Sequence, residues 1–133
     1  MADERFKNYL ANITSNAEVN VIPTANNGRG AGKISEVHSI YLTLYADDNG
    51  NLINTFVTDV FDNTNSDLVD IYIRSDGVDY YIAKAVRVVP NSAFYIEKTI
   101  TLKTNDALYI KRINGTQRIS VVCSTVDITD SID

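Results

Sequence analysis

The sequence predicts an all-β fold: an antiparallel β-sandwich of about seven or eight strands, jelly-roll or immunoglobulin-like, preceded by a short N-terminal helix or arm. Three observations carry this. Short apolar runs alternate with polar residues at period two, as half-buried strands require. Each run is bounded by Gly, Asn, Asp, Ser or Pro at short intervals, so neighbouring strands connect as hairpins and lie antiparallel. No strand–helix–strand alternation occurs, which excludes a doubly wound parallel sheet. Trp is absent and only one Cys is present, which excludes an antibody-type domain. A closed barrel is the competing architecture.

The chain has 133 residues, enough for one domain that buries roughly two-thirds of its unfolded surface without staples. We divide it into an N-terminal arm (1–35), the sandwich (36–128) and an acidic tail (129–133). The net charge of −5 disfavours nucleic acid, which needs a concentrated positive field, and an anionic membrane surface. Cys123 has no partner for an intrachain disulfide and no companions for a Cys-rich zinc site. No apolar run approaches the length of a membrane span. The opening residues MADERFKNYL lack the basic and apolar regions of a secretion signal, so we expect a cytoplasmic protein.

In residues 3–13, Phe6, Tyr9, Leu10 and Ile13 fall at i, i+3, i+4 and i+7, which predicts one apolar face of a short helix. Asp3 would be its N-cap. That face docks either on the domain's own sheet or on a neighbouring subunit. Glu18–Ile22 reads as a short strand closed by Pro23. The following TANNGRGAGK (24–33) has the spacing of neither a Walker loop nor a dinucleotide fingerprint, so it reads as a flexible loop. Its Arg29 is a candidate contact arm. Glu36–Tyr45 is a strand with Ile40, Leu42 and Leu44 on one face. His38 is in phase with them but sits at the strand's start, where partial exposure is expected.

Asp47–Asn51 is a turn, with Asn49-Gly50 supplying positive φ; as an EF-hand loop it lacks the required Gly and Glu. Leu52–Phe61 is β-rich with mixed faces. In Leu68–Leu102 three strand-like runs are separated by Asp76-Gly77 and Pro90-Asn91-Ser92. Val78, Tyr80, Ile82, Val86 and Val88 form one expected inward face, broken by Lys84. Phe94, Ile96, Ile100 and Leu102 form the next, broken by Lys98. A lysine out of phase marks a bulge, a corner or a snorkelling side chain. Leu108–Ile113 and Arg118–Val126 are the last strands, with Cys123 facing the core. The closing DITDSID reads as an acidic frayed end.

No convergent acid, base or nucleophile set can be assembled from one His, one Cys and scattered carboxylates, so an enzyme is not predicted, and no cofactor or metal site is. The candidate assembly contacts are Phe6, Tyr9, Leu10, Ile13 and Arg29. Tyr72, Tyr81 and Tyr95 are candidate outward aromatics, suited to interfaces by an apolar body and polar tip.

The order of landmarks from Leu68 onward carries a resemblance. A strand and a DG turn precede Asp79-Tyr80-Tyr81-Ile82-Ala83 and Val88-Val89-Pro90-Asn91-Ser92. An apolar strand with Lys98 and Leu102, then Asn105-Asp106 and a final strand Ile119–Ser124, complete it. This resembles small structural proteins from the virions of tailed bacteriophages. Residues 36–62 match loosely, and 1–35 do not match. Asn105 stands where the pattern has Gly, a change the left-handed region tolerates. The resemblance implies a neck, tail or capsid-decoration component, assembled in the bacterial host cytoplasm, with other virion proteins and copies of itself as partners. It implies no catalytic residues. A carbohydrate-binding or adhesin-type sandwich, with a glycan as partner, is the alternative.

Overall fold

A computed structural model describes residues 3–30, 33–47, 49–50, 67–89 and 93–129. Nine strands are present among them: β1 (Asp3–Ile13), β2 (Val19–Ile22), β3 (Lys33–Ala46), β4 (Asp67–Ser75), β5 (Val78–Val88), β6 (Ala93–Ile96), β7 (Ile100–Leu102), β8 (Asp106–Asn114) and β9 (Arg118–Thr129). They form two antiparallel sheets. Sheet A has the order β1-β9-β3-β6, with β7 also pairing β3; sheet B has the order β2-β8-β4-β5. The expected Leu52–Phe61 strand lies outside the described residues.

The core lies between the sheets. Ile13, Ile40, Leu42, Ile119 and Val121 from sheet A meet Ile22, Val69, Ile71, Leu108 and Ile110 from sheet B. These are the alternating apolar positions of each strand, and their burial is what holds the layers together. The face Phe94, Ile96, Ile100 and Leu102 packs on this core as expected. On β5 the inward face is only partly realised: Val88 is buried and Ile82 and Val86 pack on the core, but Val78 and Tyr80 are exposed.

The predicted N-terminal helix is a strand. β1 pairs β9 without a register break over its whole length, from Asp3↔Thr129 to Ile13↔Ile119. A short helix has little intrinsic stability, whereas the strand satisfies the backbone of β9 along an edge. Over residues 3–13 and 19–22, two strands of the sheets therefore replace the expected arm.

The local irregularities follow from particular residues. Asp76 (φ 51°) and Gly77 (φ 82°) give the paired left-handed conformations of a tight hairpin turn. At the other turn, the Asp47 carbonyl accepts from Gly50 N–H at 3.0 Å, and its carboxylate accepts from Asn49 N–H at 3.0 Å. In β3 a register shift between Val37 and Ser39 turns Val37 into the core and leaves His38 exposed. Lys84 marks a bulge, with a register shift between Val69 and Ile71 on the facing strand. There Ala85 adopts φ 53° and its N–H donates to Asp70 at 2.8 Å, while Lys84 Nζ donates to the other Asp70 oxygen at 2.7 Å. Lys98 sits in the break between β6 and β7.

Candidate assembly surface

The solvent face of sheet A is built by parity. In β1 the odd residues Tyr9, Ala11 and Ile13 turn toward the core, so Phe6, Asn8, Leu10 and Asn12 turn out. The ladder then sets Leu10 opposite Val122 of β9, Val122 opposite Tyr41 of β3, and Tyr41 opposite Tyr95 of β6. One apolar and aromatic row thus crosses the whole sheet. Leu10 is 72% exposed, Tyr95 58% and Val122 39%. The Tyr41 and Tyr95 rings stack with centroids 5.8 Å apart. Phe6, 87% exposed, opposes Val126 two same-face steps along, beyond the Asn8–Ser124 pair. Around Leu10 and Val122 runs a shallow groove of about 440 Å³. The flanking side chains are small and uncharged: Asn8, Asn12, Thr43, Ser120 and Ser124. Tyr41 donates its hydroxyl to Glu97, and this bond to a carboxylate raises its pKa.

The outer face of sheet B has the opposite character. Tyr109, Tyr72 and Tyr81 form a ladder across β8, β4 and β5 with centroid spacings of 5.8 and 5.3 Å. Charges close over it. Arg74 bonds both oxygens of Glu18 at 2.9–3.0 Å and Asp79 at 2.7 Å, and stacks 4.4 Å from the Tyr109 ring. The Arg74 bonds lower the Glu18 pKa, and those to Asp79 and Glu18 raise that of Arg74. Lys84 lies 4.4 Å from the Tyr81 ring while paired with Asp70. Tyr72 points to the outer face as expected, but these groups cover it and its hydroxyl donates to Glu18, so it is buried rather than open to a partner.

The structure separates the five sequence-derived contact candidates. Phe6 and Leu10 share the exposed face. Tyr9 is half-buried, with Lys7 4.7 Å over its ring and its hydroxyl 3.5 Å from Asp127. Burial raises its pKa. Ile13 is a core residue. Arg29 is 2% exposed: its guanidinium donates to the carbonyls of Leu102 at 3.1 Å, Lys103 at 2.5 Å and Asp106 at 3.2 Å. It clamps the glycine-containing loop to the turn before β8 and is closed to a partner as a contact arm. Tyr41 and Val122, which complete the exposed row, were not singled out from sequence, because only strand pairing shows that they adjoin Leu10.

A second feature lies at one end of the sandwich. A cleft of about 350 Å³ is lined by Thr24, Asn26, Asn27, Asp76, Asn105 and Tyr109, among others. The Arg29 clamp holds two of its walls, residues 26–27 and the turn at Asn105, in fixed relation.

Other chemistry-bearing residues do not converge. Cys123 is buried, and burial pushes its thiol up to about 12. His38 lies on the surface. Among the described residues no group of three or more His, Cys, Asp or Glu side chains is placed to hold a metal ion. Asp127, expected in a frayed end, is buried in β9 and accepts from the Ser35 hydroxyl at 2.5 Å. Comparison with protein-family models and with curated proteins finds no match.

Proposed function

We propose that the protein is a non-enzymatic structural component of a tailed-phage virion, in the neck, the tail or as a capsid decoration. It works through contacts with copies of itself and with other virion proteins, and it is assembled in the host cytoplasm. The observation that carries this is the row Leu10–Val122–Tyr41–Tyr95 on the open face of sheet A. Apolar and aromatic side chains flanked along the strands by small neutral ones, with the Glu97 carboxylate at the Tyr41 end, suit an interface centre, where charged residues are depleted. The sheet orders support a jelly-roll topology. With β6 and β7 counted as one interrupted strand, β1-β9-β3-β6/7 faces β2-β8-β4-β5, the arrangement of a double Greek key. Jelly rolls serve both capsid and lectin domains, so the topology alone does not choose between them. Quantitative mass spectrometry of purified particles of the phage encoding this chain tests the reading. A fixed copy number per particle is expected; absence from particles refutes it.

The cleft supports a second reading, a carbohydrate-binding or adhesin-type module. Its amide and carboxylate side chains, Asn26, Asn27, Asp76 and Asn105, suit the hydroxyls of a sugar. A glycan array with the wild type and Asn105→Ala separates the two readings, since only the module reading requires hits that the substitution abolishes.

A further inference from the structure

Among the described residues the two sheets end in four edges, and three are poorly made for pairing. β2 is four residues long with a register shift against β8. β6 and β7 are four and three residues long and broken at Lys98. β5 carries the Ala85 bulge and two register shifts. Bulges, lysines and short strands are the usual ways an edge is protected. β1 carries Lys7, a charge of the kind that shields an edge, but it has neither the shortness nor the breaks and bulges of the other three. It is eleven residues long, contains no Pro, and runs without a shift. Its outward face shows the two most exposed large apolar side chains of the described residues, Phe6 and Leu10.

We propose that β1 is a self-pairing edge: two copies join antiparallel along it, about a two-fold axis through Asn8, so that the two A sheets become one. The inference rests on the assembly reading above and names the partner as a second copy of this chain. The register follows from the side chains. With Asn8 opposite the partner's Asn8, Phe6 meets the partner's Leu10 and Leu10 meets the partner's Phe6. Lys7 meets the partner's Tyr9, and Arg5 meets the partner's Ala11. No charge from Arg5 to Ala11 faces a like charge, and the apolar row runs unbroken from one sheet into the other. Among registers that keep the outer faces continuous, one centred on Lys7 sets Lys7 against itself. One centred on Phe6 sets Arg5 against the partner's Lys7. One centred on Tyr9 places Asn opposite both Phe6 and Leu10. Directly opposed like charges destabilise a strand pair and apolar pairs stabilise it, so the Asn8-centred register is favoured. The contact is isologous, with the backbone ladder supplying affinity and the side chains the register.

The test uses full-length Asn8→Cys and Asn12→Cys proteins. Both positions face outward on β1. Cα atoms of opposed residues lie about 4.5–5.5 Å apart, within disulfide range. In the proposed register the two copies of residue 12 lie roughly 27 Å apart, from eight residues at about 3.4 Å each. Under mild oxidation Asn8→Cys should form a disulfide-linked dimer at least tenfold faster than Asn12→Cys. Cys123 is buried and stays out of the reaction. A Phe6→Lys/Leu10→Lys double variant, checked by circular dichroism for intact strands, should weaken the wild-type dimer at least tenfold in light scattering. A wild-type monomer in light scattering, or equal cross-linking at the two positions, overturns the proposal. Particles containing Asn8→Cys protein that never cross-links would sink the β1 pairing while leaving the virion reading standing. Particles lacking the protein would sink the virion reading, while cross-linking in solution still judges the pairing.

Discussion

Arg29 separates an internal clamp from an external arm, and its removal should show which it is. The guanidinium donates to four carbonyls between Leu102 and Asp106 while 2% exposed. Its Nε is buried without a partner, and burial lowers its pKa, so its desolvation already subtracts from what the bonds contribute. Hydrogen bonds to a charged group contribute about 1.5–3 kcal/mol each, and removing one side of a buried set leaves the other unsatisfied. Arg29→Ala strips four carbonyls at once and leaves a cavity, so the net loss should be about 3–5 kcal/mol. For a chain of this length that is roughly 10–20 °C in melting temperature. Arg29→Lys keeps the charge but not the planar fork, and should fall between Ala and wild type. Urea unfolding followed by far-UV circular dichroism measures both. If Arg29→Ala shifts stability by less than about 1 kcal/mol and only assembly suffers, the clamp assignment is wrong.

Further outcomes follow from single contacts. A Cβ at Gly115 (φ +138°) would overlap the Asp67 carboxylate, so Gly115→Ala should cost more than about 2 kcal/mol in urea unfolding. Gly77 (φ +82°) has open space around it, so Gly77→Ala should cost only about 1 kcal/mol of backbone strain. The Cys123 thiol should resist a disulfide-exchange reagent at neutral pH and react fully only after unfolding, because burial pushes its pKa up to about 12. The Glu18 pKa is lowered by the Arg74 bonds. Its stabilisation is therefore present above the unfolded carboxylate pKa and is lost as pH falls through the folded value. Glu18→Gln should flatten that acid limb in melting curves taken against pH, leaving the neutral value lower than in wild type.

Much of the fold was legible because it is local. Asp76-Gly77 needed no context to be a hairpin, and Lys84 and Lys98 marked real interruptions because a charged side chain cannot continue an inward face. The N-terminal segment misled for a geometric reason. Phe6 and Leu10 are four apart, as are Tyr9 and Ile13, and a spacing of four returns to the same face in a helix and in a strand alike. A helix would merge the two pairs into one stripe; the strand sends them to opposite sides. Only the pairing with β9 decides, and that partner lies more than a hundred residues away. Arg29 was misplaced similarly, since its burial depends on carbonyls 73 to 77 residues further along. Asp127 looked like part of an acidic end until Ser35, 92 residues distant, supplied its hydrogen bond. Of the exposed face, the sequence showed Phe6, Leu10 and Tyr95 but not the register that joins them.

The bulge at Ala85 has a consequence for how far any assembly can grow. It bends the outer strand of sheet B and commits a backbone N–H to Asp70, so a newcomer would find no regular ladder there. A two-fold contact along β1 uses the long regular edge of both copies at once. Among the described residues, the proposed pair would offer no second edge of that length and regularity. In the proposed β1 pairing the two copies would close on each other, a geometry that does not lengthen into fibres through that edge.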